Sequence, residues 1–271
     1  MRQTLETPSR APPAAVAALP LAPPLSDDAA LFLDVDGSLL PFAPRPDAVV
    51  VPPALTARLI ELRDRLGGAL ALVSGRSVAT LDALFAPAVF NAGGLHGVEL
   101  RRAGHPVGAI DAPPTLGRVR DAAIALIGSL PGALVEDKGL AIGLHWRMVD
   151  EARKAEAGAI LHAFAAGALT GLPGYQLQPG DHVIELRPRH ADKGSAILAF
   201  LDTPPFAGRV PVFAGDDLTD DPGFSVVDAR GGISILVGDR PGSPARFRLP
   251  SPSAVHDWLG VPNPASPETT R

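Results

Sequence analysis

Residues 30–40, ALFLDVDGSLL, form an apolar run that ends in two carboxylates separated by one residue and followed by a glycine. A short, continuous apolar run is typical of a strand that is buried on both faces in a parallel sheet. Because side chains alternate along a strand, Asp34 and Asp36 lie on the same side of the chain. Like charges this close repel each other. The pattern therefore indicates either an ordinary strand end that faces water or a site with a cation between the two carboxylates.

Apolar strands and amphipathic helices alternate along much of the chain. Leu55, Leu59 and Leu62 recur at helical spacing after Pro53, a residue that is favoured in the first turn of a helix. In SVATLDALF, Ser77 stands where a helix N-cap is expected. Further strands are predicted within residues 68–77, 210–217 and 231–238, and a further helix in 193–201. This alternation is typical of an α/β domain built on a parallel sheet.

The middle of the chain has a different pattern. Residues 139–147 and 181–188 alternate apolar and polar side chains, as antiparallel strands with one uncovered face do. Helices are predicted at about 115–129 and 151–167. We therefore predict a parallel-sheet core that is interrupted by an inserted α+β domain. The predicted boundaries are a flexible proline-rich tail at 1–26, the core at 27–104 and 185–262, the inserted domain at 105–184, and a flexible C-terminus at 263–271.

The composition argues against several classes of protein. The 271 residues are 46% hydrophobic, which is enough to bury a substantial core. The net charge is −5 and there is no long basic run, which argues against a nucleic-acid-binding protein. The chain has no cysteine, which excludes disulfides and thiolate metal sites and suits a reducing compartment such as the cytoplasm. No apolar stretch reaches the roughly 18 residues of a membrane span.

Polar residues follow several of the predicted strands, where open α/β sheets bind their ligands. These residues are Asp34 with Asp36, Ser74, Lys193, and Asp216 with Asp217. Each motif alone is a weak signal, since aspartate, serine and glycine are common in turns and at helix starts. Their joint occurrence in this order is a much stronger one, and it predicts that the four groups converge on one site.

The residue types in this set suit phosphoryl transfer. A carboxylate such as Asp34 can act as a nucleophile and take a phosphoryl group, and Asp36 could protonate the leaving oxygen and later activate water. Ser74 and Lys193 would hold phosphate oxygens and neutralise their charge. Gly37 allows a sharp backbone turn towards the phosphate. Converging carboxylates require a hard cation, and Mg²⁺ is the natural choice.

Six segments together resemble the haloacid-dehalogenase (HAD) superfamily and, within it, the trehalose-6-phosphate phosphatase family. In chain order they are FLDVDGSL, LALVSGRS, AGGLHGVEL, VEDKGLAIGLHWR, VIELRP followed by KG, and FAGDDLTDDPGFSVVDARGGISILVG. The first, second and sixth are common to many HAD sugar phosphatases. GLHGVE and EDKGLAIGLHWR are much more specific to the trehalose branch. The resemblance extends over about residues 29–260.

The resemblance implies a fold, a reaction and roles for individual residues. The fold would be a HAD-like Rossmannoid parallel-sheet core with an inserted α+β cap domain. The reaction would be Mg²⁺-dependent hydrolysis of trehalose 6-phosphate through an aspartyl-phosphate. The implied residues are Asp34 and Asp36 for catalysis; Ser74, Arg76 and Lys193 for phosphate; Glu136, Lys138, Arg147 and Glu185 for the sugar; and Asp34, Asp36 (through its backbone carbonyl), Asp216 and Asp217 for the metal, with Asp220 nearby.

Four further residues in or near the inserted domain have competing interpretations. Glu136 and Lys138 share strand parity and would point the same way, either towards a sugar or as a surface ion pair. His96 is predicted to be a structural hydrogen-bonding residue at a domain junction rather than a base. His145 alternates with apolar residues and would line the sheet of the inserted domain.

The chain departs from the family pattern at three positions. Ser38 replaces the usual threonine and keeps the hydroxyl. Asp221 stands where glutamate is common, which would alter a contact around the metal-binding loop. Asp181 stands where many members have lysine or arginine, so that either one cation is lost or His182 or Arg187 compensates for it.

Two alternatives remain open from the sequence. One is a related phosphatase that acts on another phosphosugar, such as sucrose 6-phosphate or a glycosylglycerate phosphate. The other is an inactive regulatory subunit, which the presence of Asp34, Asp36 and Lys193 disfavours. The family resemblance also allows association with a trehalose-6-phosphate synthase.

Overall fold

The computed structural model of the chain describes residues 19–42, 49–102, 105 and 112–262. Most of the predicted N-terminal tail and all of the predicted C-terminal segment lie outside these residues. In chain order the elements are β1 (Ala29–Leu33), α1 (Pro53–Arg65), β2 (Leu70–Val73), α2 (Val78–Phe85), β3 (Asn91–Gly94), β4 (Glu99–Arg101), α3 (Pro114–Ile127), β5 (Leu134–Asp137), β6 (Ile142–His145), α4 (Glu151–Ala168), β7 (Tyr175–Gly180), β8 (Val183–Pro188), α5 (Lys193–Leu201), β9 (Val210–Gly215), α6 (Asp221–Ala229), β10 (Ile233–Val237), β11 (Phe247–Leu249) and α7 (Pro252–Leu259).

The larger sheet has seven strands in the order β11-β10-β9-β1-β2-β3-β4. All neighbouring pairs are parallel except β3 and β4. All five residues of β1 are fully buried, because this strand lies in the centre of the sheet between β2 and β9. The prediction of a parallel α/β core around the apolar run at residues 30–33 is therefore confirmed.

The helices of the core form where the sequence predicts them. Leu55, Leu59 and Leu62 are the buried face of α1, which begins at Pro53. The Ser77 hydroxyl accepts a hydrogen bond from the backbone N–H of Thr80 and so caps α2. These helices pack on the sheet through a single large apolar cluster that includes β1, β2 and β9. The local sequence patterns of these helices and the burial of their apolar faces therefore favour the same structure.

The smaller sheet is antiparallel, with the strand order β5-β6-β8-β7. Helices α3 and α4 pack on one face of it against Ile142, Leu144, Ile184 and Leu186. Since side chains alternate, the intervening residues of β6 and β8 lie on the other face. The predicted inserted α+β domain is confirmed, and we refer to it as the cap. Its sheet includes all of β8 and so extends four residues beyond the predicted limit at residue 184.

Residues just before β1 contact the edge of the core. The backbone N–H of Ala22 donates to the carbonyl of Arg248 in β11, and the indole N–H of Trp258 donates to the carbonyl of Pro23 at 2.7 Å. This segment falls within the predicted tail, yet it is joined to the seven-stranded sheet. None of the helices in the described ranges combines the length and the apolarity that a membrane span requires.

Candidate active site

The cap lies over the edge of the large sheet where β1, β2 and β9 end, and a cavity of about 200 Å³ separates the two. Most of the predicted site residues line it: Asp34, Asp36, Ser74, Arg76, Lys193 and Asp217 from the core, and Glu136, Lys138, Arg147 and Glu185 from the cap. Asp216 adjoins the cavity through its carboxylate, which lies close to that of Asp34. The structure therefore brings all the predicted groups together.

Lys193 lies between two carboxylates beside the cavity. It is the first residue of α5, whose N-cap Asp192 accepts the backbone N–H of Ser195 at 2.7 Å. The Lys193 ammonium donates to Asp34 Oδ1 and to Asp220 Oδ1, each at 2.7 Å. Burial alone would lower the pKa of Lys193, but the Asp220 and Asp34 carboxylates outweigh burial and raise it. Lys193 is therefore a fixed cation beside Asp34.

The two carboxylate oxygens of Asp34 have different environments. Asp34 is 3% exposed, and within the described residues its Oδ2 is buried without a hydrogen bond. Burial raises the pKa of Asp34 well above its usual range, and the Asp216 carboxylate adds to this, while Lys193 opposes it. Asp34 thus has one oxygen held by Lys193 and one bare oxygen, which suits a carboxylate nucleophile or a metal ligand.

Three buried or half-buried carboxylates are crowded at this point. One oxygen each from Asp34, Asp216 and Asp220 lies within 4.8 Å of the others. Burial and the Asp220 and Asp217 carboxylates raise the pKa of Asp216 to about 7. Carboxylates this close repel each other unless a cation offsets their charge. The bare oxygen of Asp34 and the carboxylate of Asp216 are hard oxygen donors, so the residues fit Mg²⁺.

Asp220 organises the loop that carries Asp216. Its Oδ2 accepts the backbone N–H groups of Asp216 and Asp217 at 2.9 and 3.0 Å, and its Oδ1 accepts from Lys193. Both of its oxygens are engaged, so Asp220 supports the loop. The Oδ1 of Asp217 accepts from the backbone N–H and the hydroxyl of Thr219 at 2.8 and 2.6 Å. Asp217 lines the cavity, but its Oδ1 is already engaged in hydrogen bonds within its own turn.

Gly37 allows the loop after β1 to approach Asp216 closely. Its φ is +87°, and a Cβ at this position would lie 2.2 Å from Asp216 Oδ2. The Ser38 hydroxyl donates to Asp216 Oδ1 at 3.2 Å. Any side chain at residue 37 would push these two loops apart, so glycine is required for the carboxylates to converge.

Arg76 is paired with Asp36. Its Nε and Nη2 donate to the two carboxylate oxygens of Asp36 at 2.6 and 2.7 Å, a bidentate geometry. This pairing leaves the backbone carbonyl of Asp36 as the group that it can offer to a metal. It also means that the Asp36 carboxylate must turn away from Arg76 before it can deliver a proton to a substrate.

Ser74 and His96 connect the loop after β2 to the cap. The Ser74 hydroxyl accepts the backbone N–H of Arg76 at 3.1 Å, and the Ser74 carbonyl accepts the N–H of His96 at 2.9 Å. The His96 ring packs on Gly75, where a Cβ would lie 2.6 Å from Nε2. The same Nε2 lies 3.6 Å from Glu185 of the cap. Burial lowers the pKa of His96, although Glu185 opposes this. This agrees with a structural role at a domain junction.

The cap wall contains a network of charged groups. Lys138 donates to Glu185 Oε2 at 2.8 Å and to the backbone carbonyl of Gly75 at 3.1 Å, which ties the cap to the core. His145 Nε2 lies 2.9 Å from Glu136 Oε2, so this histidine faces the cavity and contacts a predicted sugar-binding residue. Burial would raise the pKa of Glu185, but Lys138 lowers it well below its usual range. Glu185 is therefore ionised, and its Oε1 is buried without a partner among the described residues.

Arg147 lies at the edge of the cavity and is paired with the unusual Asp181. Its Nη2 donates to the carbonyl and to a carboxylate oxygen of Asp181, each at 3.0 Å. His182 Nδ1 lies 2.7 Å from the other carboxylate oxygen. Arg187 donates to the Ala191 carbonyl at 2.6 Å and does not line the cavity. Of the two groups suggested to compensate for Asp181, only His182 contacts it.

Sequence reasoning missed Arg240. This residue follows β10 and donates to the backbone carbonyls of Asp216 and Asp217 at 3.2 and 3.1 Å. It also forms an ion pair with Asp221. An arginine just beyond the predicted strand at 231–238 carries no distinctive signal, whereas its position beside the acidic loop depends on the order of strands in the sheet.

Comparison with known proteins identifies similar chains. The sequence model of a family described as trehalose-phosphatase matches residues 32–253. A probable trehalose-phosphate phosphatase of Sinorhizobium fredii is 43% identical over 238 residues, which cover 87% of this chain and 88% of that protein. The trehalose-6-phosphate phosphatase of Escherichia coli K12 is 40% identical over 240 residues, covering 88% and 87%.

Solved structures show the same fold. The C-terminal domain of Candida albicans trehalose-6-phosphate phosphatase superposes with a TM-score of 0.73 at 20% sequence identity, covering 85% of this chain and 90% of that domain. At 20% sequence identity, this similarity establishes a shared fold. It agrees with the HAD-type arrangement of a parallel-sheet core and a cap.

Proposed function

The chain belongs to the trehalose-phosphatase family, and we propose that it hydrolyses trehalose 6-phosphate to trehalose and phosphate in the cavity between core and cap. It is a phosphatase with a HAD-type fold. The observation that supports the site best concerns Asp34, which lines the cavity together with Glu136, Lys138 and Glu185 of the cap. Lys193 holds its Oδ1, and within the described residues its Oδ2 is buried without a hydrogen bond.

In the first step a carboxylate oxygen of Asp34 attacks phosphorus. The bond from phosphorus to the sugar oxygen breaks, and Asp36 gives its proton to that oxygen, so trehalose leaves as a neutral alcohol. The product on the enzyme is an aspartyl-phosphate at Asp34. Lys193 and the Ser74 hydroxyl are positioned to hold the non-bridging oxygens as charge redistributes.

In the second step water attacks the phosphorus of the aspartyl-phosphate. Asp36, now ionised, takes a proton from this water, the bond from phosphorus to the Asp34 oxygen breaks, and inorganic phosphate leaves. A bound Mg²⁺ would be held by Asp34, Asp216 and the Asp36 backbone carbonyl, with Asp217 nearby, and would offset the negative charge between phosphate and carboxylates. Asp220 keeps Lys193 and the Asp216 loop in place through both steps.

The cap determines which phosphate ester reaches Asp34. Glu185, Glu136 and Lys138 place two carboxylates and an ammonium on one wall of the cavity. Such groups hydrogen-bond sugar hydroxyls strongly in a site that excludes water. Among the described residues Oε1 of Glu185 has no hydrogen-bond partner, while Lys138 holds the other oxygen. Oε1 would therefore accept a hydrogen bond from a sugar hydroxyl.

Phosphate release from a panel of substrates tests this function. The parent enzyme should prefer trehalose 6-phosphate to sucrose 6-phosphate, a glycosylglycerate phosphate and glucose 6-phosphate. Glu185→Gln should raise KM for trehalose 6-phosphate by roughly 10- to 100-fold, the range for losing a hydrogen bond to a charged group. Its kcat/KM for p-nitrophenyl phosphate, which lacks a sugar, should stay within about twofold.

The matched control is Glu156→Gln on α4, where the carboxylate is 61% exposed and pairs with Arg153. This variant should behave like the parent on every substrate. Equal activity of the parent on several phosphosugars would refute the choice of trehalose 6-phosphate. An equal loss by Glu185→Gln on p-nitrophenyl phosphate would refute the assignment of Glu185 to the sugar.

Three further properties are part of the same proposal. The identity of the cation as Mg²⁺ is supported by the oxygen-only donor set around Asp34 and Asp216. A cytoplasmic location is favoured by the absence of cysteine from the sequence. Association with a trehalose-6-phosphate synthase stays a prediction from the family resemblance.

A further inference from the structure

Arg240 holds the two backbone carbonyls of the acidic loop. Strand β9 ends at Gly215, so residues 216 and 217 lie beyond the last strand residue. Arg240 Nε donates to the carbonyl of Asp216 at 3.2 Å, and its Nη2 donates to the carbonyl of Asp217 at 3.1 Å. The Arg240 side chain is 19% exposed, and its guanidinium is anchored by an ion pair with Asp221 at the start of α6. One planar fork therefore fixes two successive peptide groups.

Asp220 holds the same two residues through their backbone N–H groups. Its Oδ2 accepts both backbone N–H groups, while Arg240 donates to both carbonyls. Gly215 permits this close approach, since a Cβ there would lie 2.3 Å from Asp220 Cγ. The backbone that carries Asp216 is thus clamped from two directions by side chains. Asp220 precedes α6 and Arg240 follows β10, so the clamp forms only in the folded protein.

The contacts of Arg240 point beyond an ordinary surface ion pair. An exposed or partly exposed ion pair by itself adds little to stability. A lone guanidinium behind the carbonyls of a cation-binding loop would also oppose binding of a cation. The Asp221 carboxylate offsets the charge of the guanidinium. Arg240 can therefore hold the two carbonyls by hydrogen bonds without repelling a cation bound to the loop.

We propose that Arg240, anchored by Asp221, is a positioning residue that fixes the Asp216 loop for binding of the divalent cation. This inference rests on the metal site of the proposed function. The arginine fork is needed because a lysine is a single point donor and cannot hold two carbonyls and a carboxylate in a fixed plane. Supporting residues of this kind typically change metal affinity by 10- to 100-fold when they are replaced.

Isothermal titration of the metal-free protein with Mg²⁺ alone tests the proposal. Arg240→Gln should bind Mg²⁺ roughly 10- to 100-fold more weakly than the parent. Arg240→Lys should recover only part of that loss. At saturating Mg²⁺ the KM for trehalose 6-phosphate should stay within about twofold of the parent value, because Arg240 does not line the cavity.

Arg246→Gln is the matched control, because Arg246 is exposed and its guanidinium lies over Phe247, away from the loop. It should bind Mg²⁺ like the parent. If Arg240→Gln does not fold, Asp221→Asn provides the same test with a milder change, and weaker Mg²⁺ binding is again expected. Parental Mg²⁺ affinity in the folded Arg240 and Asp221 variants would overturn the proposal, even if their melting temperatures fell.

The same experiments distinguish failure of this proposal from failure of the proposed function. Parent protein that binds Mg²⁺ but does not hydrolyse trehalose 6-phosphate would refute the substrate, and the variants would still decide the role of Arg240. Parent protein that does not bind Mg²⁺ would overturn both the metal site and the positioning role.

Discussion

Asp34→Asn is expected to lower kcat for trehalose 6-phosphate by at least roughly 10⁴-fold, the order of loss when a covalent nucleophile is removed. Asparagine keeps the shape of the side chain but cannot form the aspartyl-phosphate. Lys193 keeps its second partner, Asp220, at 2.7 Å, so the fold should persist. Steady-state phosphate release with purified protein measures the effect.

Stability should not fall with activity in this variant. Burial raises the pKa of Asp34, which means that the folded state disfavours its charged form. At neutral pH, above the unfolded pKa, that charge costs folding free energy, and asparagine removes the cost. Thermal unfolding of the metal-free variant should therefore occur at the parental temperature or above. Asp28→Asn, at an exposed carboxylate just before β1, should leave turnover unchanged. More than a tenth of parental activity in Asp34→Asn would refute the nucleophile.

Asp36→Asn is expected to lower kcat for trehalose 6-phosphate by about 10²- to 10⁴-fold, the usual contribution of a general acid–base. The sugar alcohol needs a proton as it leaves, and asparagine cannot supply one. The loss in the first step should be much smaller for p-nitrophenyl phosphate, because p-nitrophenolate leaves without protonation. Pre-steady-state release of p-nitrophenol measures that step.

The second step should then become limiting in Asp36→Asn, since no base activates the water. A burst of p-nitrophenol followed by slow turnover is the expected trace. The same loss in the burst rate for both substrates would contradict the role of Asp36 as an acid and would favour a role in binding Arg76, with which it pairs at 2.6 Å.

Much of the fold could be predicted because its central strands and helices have strong local patterns. The buried run that ends at Leu33 and the helical spacing of Leu55, Leu59 and Leu62 each favour one structure. Strand β3, Asn91–Gly94, was not predicted, since two of its four residues are glycine. It forms because β2 supplies its hydrogen bonds and because only small residues fit, as a Cβ at Gly93 would lie 3.1 Å from Ala196.

The position of the site could be predicted because its polar residues follow strands. The ion pairs within the site could not be predicted, because they join residues that are far apart in the chain. Arg76 and Asp36 are 40 residues apart, and Lys193 and Asp34 are 159 apart. The segment DDLTDD offers four carboxylates, and the sequence does not indicate which one reaches Lys193. The structure assigns that contact to Asp220, whose two oxygens also organise the loop.

The sugar-binding residues illustrate a different limit. Glu136 and Glu185 lie on β5 and β8, and Lys138 directly follows β5. The alternating pattern of such strands indicates only that one face of the sheet is uncovered. The function of these three residues was inferred from resemblance, and their convergence depends on the cross-strand register that puts Gly143 between Glu136 and Glu185. A Cβ at Gly143 would lie 2.9 Å from His145 Nε2, so the glycine leaves room for this network.

The most direct test of the mechanism is to trap the phosphorylated enzyme. Protein mixed with trehalose 6-phosphate that carries a radioactive phosphorus atom is quenched in acid within the first turnover and digested. The label should be found on the peptide that contains Asp34, should be released by hydroxylamine as expected of an acyl phosphate, and should be absent from Asp34→Asn. Free labelled phosphate without any labelled peptide, or a label on another residue, would contradict this mechanism.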